Sequence, residues 1–387
     1  MDYNSLLSEK AKHIKMSGIR RFFDIAGQMD DVISLGVGEP DFATPWHVRE
    51  AGIYSLERGR TAYTSNAGLI TLREEIAGYM QRRFGLSYEP AGETLVTVGG
   101  SEAIDMCIRA LVNPGDEVLI PEPCFVCYAP ITELAGGVPV PIETRAEDDF
   151  CLTPDQLRAG ITEKTKLLIL PYPNNPTGAV MDAAQLAAIA DVLRGTNVCV
   201  LSDEIYAELT YSGRHVSIAS IDGMRERTVV VNGFSKAFAM TGWRLGFACG
   251  PREIILQMTK LHQYAIMCAP TTSQHAAVEA LKNGDADIEY MVGEYDMRRR
   301  LILDGVRSLG LPCFEPRGAF YIFPGIAHTG LSSEEFCNRL IQEQHVAVVP
   351  GNAFGESGEG YVRISYAYSI GHIEQALERI ERFLHTL

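Results

Sequence analysis

The sequence predicts an α/β protein with a doubly wound, mostly parallel seven-stranded sheet and a smaller α+β domain at its C-terminal end. Seven short apolar, β-rich runs alternate with helical segments between residues 95 and 250, which is typical of βαβ units. Beyond about residue 285 the pattern changes to long charged helices with two strands between them. The 387 residues also exceed the usual size of a single core. We therefore expect two domains.

The chain divides into three predicted segments. Residues 1–42 are expected to form an N-terminal arm and part of the small domain, because they read as an amphipathic arm that ends in a short apolar run. Residues 43–284 are expected to form the large domain, and residues 285–387 the small C-terminal domain.

Local patterns predict the elements within these segments. The seven strand runs are residues 95–98, 117–120, 138–142, 167–170, 198–202, 229–232 and 245–249. Thr44 fits an N-cap and Pro45 the first position of a helix toward Leu56. A second helical pattern over residues 70–84 stops at Gly85. Near the C-terminus, helices are predicted over residues 289–309 and 373–387, and strands over residues 317–323 and 361–366.

Charge and hydropathy exclude several kinds of partner. The chain has 49 acidic and 34 basic residues and a formal net charge of −15, which repels nucleic acid backbones and anionic lipid surfaces. No run reaches the roughly 18 apolar residues of a membrane helix, and the N-terminus lacks the apolar core of a signal peptide. We expect a cytoplasmic protein that binds neither nucleic acid nor membranes.

The nine cysteines follow no dense spacing pattern, which favours reduced, mostly buried thiols. Cys124 and Cys127 form a C-x-x-C motif, but no second pair or nearby histidine completes a four-ligand zinc site. The neighbouring Pro123 and Phe125 favour packing. No metal site is predicted.

Polar stretches follow several of the predicted strands. Parallel α/β sheets bind ligands beyond the carboxyl ends of their strands. Four stretches occupy such positions: the helix start with Ser101 and Glu102, the turn at 171–178 that contains Asn175, the segment from Asp203 to Tyr206, and the pair Ser235 and Lys236. Since four independent structural accidents rarely converge, one functional site is favoured at this edge.

Lys236 has surroundings that favour a reactive amine. It lies among small and apolar residues, and Arg244 follows eight positions later. A desolvated lysine loses its proton easily and can form a Schiff base with a carbonyl, while an arginine suits a phosphate. The alternative is a half-buried lysine whose head reaches water beside a structural arginine.

Together these groups point to one cofactor. A Schiff-base lysine with an acidic partner for a pyridine nitrogen is the recognisable binding chemistry of pyridoxal phosphate. The stretch from residue 232 to 247 also shows a longer signature: small, apolar, small, Lys236, then Arg244 and Gly246. In this signature the sequence resembles class I aminotransferases of fold type I, nearest to the aromatic and aspartate aminotransferases of archaea and bacteria. The resemblance extends over nearly the whole chain.

The resemblance implies three catalytic residues, Lys236, Asp203 and Tyr206. Lys236 would bind the cofactor as a Schiff base and then move the substrate proton. Asp203 would pair with the pyridine nitrogen. Asn175 and Tyr206 would hydrogen-bond to the phenolic oxygen, and Phe125 would stack on the ring. For Asp203 the alternative is a helix cap, and for Phe125 it is a core side chain.

The resemblance also implies a phosphate site. Its members would be Arg244, the backbone of Ser101 and Glu102, and Tyr63 from the partner subunit of a homodimer. Tyr63 alone reads as a surface residue. Many relatives carry a serine three residues before the lysine, where this chain has Gly233. Ser235 is the expected substitute.

Substrate contacts are implied as well. Arg363 would hold the α-carboxylate as a bidentate fork, helped by Asn175 and the backbone of Gly38. Gly38 lies in a glycine and proline loop whose alternative is a plain turn. Arg20 is a candidate for a second, distal carboxylate, and a helix-surface charge is its alternative.

The resemblance thus implies a ping-pong transaminase. It would move the amino group of an L-amino acid, aromatic before aspartate-like, to a 2-oxo acid such as 2-oxoglutarate. One alternative is a β-eliminating C–S lyase that uses the same lysine, aspartate and arginine. The other is a non-catalytic relative such as the cofactor-binding half of a transcription regulator, for which the acidic chain has no evident DNA-binding domain.

Overall fold

A computed structural model describes residues 1–14, 16, 29 and 31–387. Its helices are α1 Tyr3–Leu6, α2 Glu9–His13, α3 Trp46–Glu57, α4 Ile70–Phe84, α5 Gly99–Leu111, α6 Tyr128–Ala135, α7 Pro154–Gly160, α8 Ala183–Leu193, α9 Phe234–Ala237, α10 Arg252–Ala265, α11 Thr271–Asn283, α12 Asp285–Ser308, α13 Ser333–Gln344 and α14 Ile370–Leu384. Its strands are β1 Ile33–Ser34, β2 Thr94–Thr97, β3 Glu117–Glu122, β4 Val138–Glu143, β5 Thr165–Leu170, β6 Cys199–Asp203, β7 Thr228–Gly233, β8 Gly246–Cys249, β9 Tyr321–Ile322, β10 Val346–Ala347, β11 Val349–Pro350 and β12 Val362–Ser365.

The predicted seven-stranded, mostly parallel sheet is confirmed. Its strand order is β2-β8-β7-β6-β5-β3-β4. Strand β8 runs antiparallel to both of its neighbours, β2 and β7, while the strands from β7 to β4 pair in parallel. Every strand matches one of the seven predicted runs, because strands buried on both faces read as nearly continuous apolar sequence.

Helices cover both faces of this sheet. Along β7, Val229 and Val231 pack in one apolar cluster with α5 and α10, whereas Val230 packs in a second cluster with α4 and α11. Neighbouring residues of a strand point to opposite faces, so two separate cores sandwich the sheet. This arrangement is the doubly wound architecture that the alternation of elements predicts.

Two smaller sheets lie outside this layer. Strands β11, β12 and β9 form an antiparallel sheet, and β1 pairs in parallel with β10. Apolar side chains of β1, β9, β10 and β12 share a core cluster with the inner faces of α12 and α14. Strand β1 therefore ties the end of the N-terminal arm to C-terminal structure. Within the described residues, no helix is both long and apolar enough to cross a membrane.

Four predictions about element bounds need correction. Thr44 is not the N-cap of α3; that position is Pro45, and the Thr44 hydroxyl instead donates to the carbonyl oxygen of Ala239 at 2.6 Å. The strand predicted over residues 317–323 is reduced to β9. Ala319 has a positive φ of 56°, and its N–H donates to the carbonyl of Leu209 outside the sheet.

Both long C-terminal helices begin earlier than predicted. Helix α12 starts at Asp285, and α14 starts at Ile370 and ends at Leu384. The start of α14 is fixed by Ser369, whose side chain accepts a hydrogen bond from the backbone N–H of His372.

Candidate active site

A cavity of about 330 Å³ opens where the parallel strands of the large sheet end. Ten of the twelve predicted site residues line it: Gly38, Ser101, Phe125, Asn175, Asp203, Tyr206, Ser235, Lys236, Arg244 and Arg363. The other two, Glu102 and Tyr63, are not among the lining residues. Residues that are far apart in the chain therefore meet at the edge of the sheet where ligands are expected.

Lys236 lies in the single helical turn α9, directly after β7. Its Nζ donates a 2.6 Å hydrogen bond to the carbonyl oxygen of Gly38. Burial lowers the pKa of Lys236 to about 8; Glu39 opposes this shift, and the positive charges of Arg363 and Arg244 add to it. Its amine points into the cavity, where a lowered pKa leaves a larger fraction as the nucleophilic free base.

Asp203 is the last residue of β6 and is buried. Its Oδ2 accepts a 2.7 Å hydrogen bond from Tyr128 Oη, and its Oδ1 accepts one of 3.2 Å from the backbone N–H of Ile205. Burial raises the pKa of Asp203 to about 6, and the bond from Tyr128 opposes that rise. A carboxylate held this way suits a cationic partner in the cavity.

Arg363 lies in β12 and reaches the cavity from the small sheet. Only 2% of its surface is exposed. Its Nη1 donates to Asn175 Oδ1 at 2.8 Å, and its Nη2 donates to the carbonyl oxygen of Gly36 at 2.5 Å. Both acceptors are uncharged and Nε has no partner within the described residues. A buried guanidinium without a counter-charge is expensive, so an anionic ligand would stabilise this arrangement.

A helix N-terminus and an arginine converge at the other end of the cavity. Gly246 of β8 packs so closely on α5 that a Cβ at this position would overlap the backbone of Gly99 and Gly100. The guanidinium of Arg244 lies over Gly99, where a Cβ would be 2.7 Å from Nη2. Free N–H groups at the start of α5 and this cation together suit an anion.

The side chain of Glu102 forms hydrogen bonds at the start of α5 and does not line the cavity. Its Oε2 accepts a 2.5 Å hydrogen bond from the backbone N–H of Val98, the residue before α5. Its Oε1 lies 2.7 Å from Nδ1 of the fully buried His262. The carboxylate therefore fixes the start of α5 instead of facing the cavity.

Gly233 is extended, with φ of 175°, so its backbone does not require glycine. The space around it is tight, because a Cβ there would lie 3.0 Å from the Cα of Gly246 and 3.1 Å from the carbonyl oxygen of Leu245. A serine at this position would require these neighbours to shift by a few tenths of an ångström. Ser235 is buried and lines the cavity, where the sequence interpretation expects a substitute.

Two predicted residues stand apart from this group. Tyr63 is 82% exposed on the surface of the chain, and its contribution across a subunit interface stays a prediction. Arg20 lies outside the described residues.

Sequence reasoning missed two tyrosines in the cavity lining, Tyr128 and Tyr321. Tyr128 follows Phe125 by three residues in the motif Pro-x-Pro-x-Phe-x-x-Tyr, and this spacing is the available signal for a shared site. Tyr321 lies in a predicted strand. Its proximity to Tyr206, at 2.7 Å between hydroxyl oxygens, depends on tertiary structure alone.

Comparison with known proteins gives a consistent result. Residues 30–380 match the family model described as aminotransferase class I and II. The chain is 56% identical to the putative aminotransferase YugH of Bacillus subtilis, over 98% of this chain and 99% of that protein. It is 48% identical to the aspartate aminotransferase of Pyrococcus abyssi, over 98% of each. The crystal structure of an aromatic aminotransferase from Pyrococcus horikoshii superimposes with a TM-score of 0.90 at 47% identity, covering 95% of this chain and 99% of that one.

The family match spans most of the chain, and the architecture is that of the solved aminotransferases. This chain belongs to the class I and II aminotransferases and is an enzyme.

Proposed function

We propose that this enzyme uses pyridoxal phosphate to move the amino group of an L-amino acid to a 2-oxo acid such as 2-oxoglutarate, by a ping-pong mechanism in a cytoplasmic homodimer. The convergence of Lys236, Asp203 and Arg363 on one cavity carries this proposal. An amine of lowered pKa, a buried carboxylate and a guanidinium without a counter-charge are the three groups that this chemistry needs.

The residues of the cavity fit the cofactor. Class I aminotransferases use pyridoxal phosphate. When bound, it supplies an aldehyde and a ring that accepts electrons once its nitrogen is protonated. Asp203 would hold that nitrogen, Asn175 and Tyr206 the phenolic oxygen, and Phe125 the face of the ring. The phosphate would lie against Arg244, Ser235 and the start of α5 at Ser101 and Glu102, with Tyr63 of a second subunit completing the site.

The side chains of this enzyme would perform two further tasks. Lys236 Nζ, with its pKa lowered to about 8 by burial, would act as the base that takes a proton from the substrate Cα. Arg363 would bind the α-carboxylate, and Asn175 and the Gly38 backbone would fix its orientation. With its carboxylate held in this way, the substrate would have its Cα near the Lys236 amine that removes the proton.

Charge supports aromatic over aspartate-like donors. Among the described residues that line the cavity, the cationic side chains are Lys236, Arg244 and Arg363. Each already has a role in the proposal, so a distal carboxylate would need another cation, for which Arg20 is the candidate. Relatives of this chain carry the names of both aspartate and aromatic aminotransferases.

A panel of L-amino acids, each tested with 2-oxoglutarate, would measure the specificity directly. We expect bleaching of the yellow protein by aromatic donors first and aspartate next, with glutamate as the second product. Release of pyruvate and ammonia from a cysteine conjugate without any 2-oxo acid would instead identify a C–S lyase and overturn the proposal.

A further inference from the structure

Tyr321 lines the cavity but has no role in the mechanism proposed above. It opens strand β9 and is 1% exposed. Its hydroxyl oxygen lies 2.7 Å from that of Tyr206, and its ring centroid lies 4.4 Å from Arg363 Cζ. One side chain therefore contacts two of the groups expected to bind cofactor and substrate.

The hydroxyl contact has a definite direction once Tyr206 is used by the cofactor. The hydroxyl group of a tyrosine has one hydrogen to donate. If Tyr206 donates this hydrogen to the phenolic oxygen of pyridoxal phosphate, Tyr206 cannot also donate to Tyr321. The Tyr321 hydroxyl must then donate to Tyr206. A hydrogen bond received in this way polarises the Tyr206 hydroxyl and strengthens its own donation.

The ring of Tyr321 makes a separate contact. The Cζ atom of Arg363 lies 4.4 Å from the ring centroid of Tyr321 and 4.7 Å from the ring centroid of Phe354. Two aromatic faces hold the planar group in a fixed orientation while its N–H donors reach Asn175 and Gly36. The ring therefore acts on Arg363 and the hydroxyl acts on Tyr206.

The backbone of Gly38 lies close to the Tyr321 hydroxyl. A Cβ at Gly38 would overlap the Tyr321 hydroxyl. The same glycine accepts the hydrogen bond of Lys236 through its carbonyl oxygen. A side chain at position 38 would push Tyr321 away from Tyr206, so the absence of a side chain there keeps the two phenols in contact.

We propose that Tyr321 is a positioning residue that orients Tyr206 through its hydroxyl and Arg363 through its ring. This inference rests on the proposed use of pyridoxal phosphate. The two functions affect different measurements. Loss of the hydroxyl should change the absorbance titration of the holoenzyme, and loss of the ring should change KM for the amino acid.

Tyr321→Phe isolates the hydroxyl. Donation from Tyr206 to the phenolic oxygen should lower the pKa of the holoenzyme chromophore, so its loss raises that pKa. An absorbance titration without substrate should show a rise of about half to one pH unit in Tyr321→Phe, and a larger rise in Tyr206→Phe. The double variant should match Tyr206→Phe alone, because Tyr321 acts through Tyr206.

Phe354→Leu is the matched control for the ring. It should raise KM for the amino acid roughly three- to tenfold and leave the colour titration unchanged. Tyr321→Phe keeps its ring and should leave KM within about twofold, and Tyr321→Leu should change both quantities.

The outcomes separate this inference from the proposed function. A protein that binds no pyridoxal phosphate contradicts the proposed function. A yellow protein in which Tyr206→Phe shifts the titration and Tyr321→Phe does not would overturn the role of Tyr321 alone. Additive shifts in the double variant, or loss of the fold in Tyr321→Phe, would equally count against it.

Discussion

Tyr128 Oη donates a 2.7 Å hydrogen bond to Oδ2 of Asp203, in a region where both side chains are buried. This bond stabilises the ionised carboxylate, yet burial still raises the pKa of Asp203 from 3.8 to about 6. Without a cofactor, ionised Asp203 is therefore a cost to the folded protein. The site keeps a carboxylate that is poised for a cationic partner.

Asp203→Asn should therefore stabilise the apoprotein at neutral pH. The folded-state pKa of Asp203 lies above its ordinary value, so the penalty for ionisation is absent below about pH 3.8, grows up to pH 6 and is complete above it. The gain in the free energy of unfolding should reach about 3 kcal/mol. Urea unfolding of apoprotein across this pH range would measure it, and an equal effect at every pH would contradict the role of ionisation.

Lys236 should react with pyridoxal phosphate in proportion to its free amine. With the pKa of Lys236 lowered to about 8, the rate of attachment to apoprotein should be half-maximal near that pH and level off about one pH unit higher. Borohydride reduction and mass spectrometry would locate the attached group. A rate that continued to rise toward pH 10.5, the ordinary pKa of a lysine, would show an unperturbed amine. Lys236→Ala should show no attachment at this position.

Arg363→Lys should weaken binding of the α-carboxylate. Lysine keeps the charge but loses the planar fork that reaches Asn175 and Gly36 at the same time. We expect kcat/KM to fall roughly ten- to hundredfold, mostly through KM, with the affinity for pyridoxal phosphate unchanged. Arg339→Lys is the matched control, because Arg339 pairs with Glu343 on the outside of α13. Comparable losses in both variants would remove the special role of Arg363.

Gly233→Ser should lower stability despite the serine of many relatives. Its Cβ would be pressed against the backbone of Gly246 and Leu245, which should cost about 1–3 kcal/mol. Thermal unfolding would measure the loss. Gly78→Ser is the control, since Gly78 lies in α4 with no atom within 4 Å of an added Cβ, and it should be neutral or stabilising. Equal effects in both variants would contradict the steric explanation.

Tyr63 allows a test of the proposed homodimer. In a mixed dimer of Lys236→Ala and Tyr63→Ala subunits, one site would carry both defects and the other site neither. Activity should therefore reappear when the two inactive preparations are unfolded, mixed and refolded together. If the mixture stays as inactive as its components, Tyr63 does not act across an interface.

The sheet could be predicted from sequence because most of its strands are buried on both faces. Strand β7 is buried at every position and contains the apolar run Val229 to Val231, and such runs are typical of parallel strands covered on both sides. The same regularity allowed Asp203 and Lys236 to be placed at one edge, since Asp203 ends β6 and Lys236 lies in the helical turn after the neighbouring strand β7.

Contacts between distant segments could not be predicted in this way. Thr44 fits an N-cap by its local pattern, but its hydroxyl donates a hydrogen bond to the carbonyl oxygen of Ala239, far along the chain. Glu102 is predicted to bind phosphate through its backbone, but the local pattern does not show that its carboxylate lies 2.7 Å from Nδ1 of the distant His262. Local patterns describe the neighbours along the chain, whereas these side chains have partners that only folding brings close.

The reversed direction of β8 allows a short connection within the sheet. Strands β7 and β8 form an antiparallel pair connected by residues 234–245, whereas the shortest connection between parallel neighbours, from β3 to β4, spans residues 123–137. Closing this connection costs less chain entropy than closing any other between neighbouring strands of the sheet. Lys236 and Arg244, the proposed nucleophile and the proposed phosphate ligand, both lie within this short connection, so little chain entropy opposes their proximity.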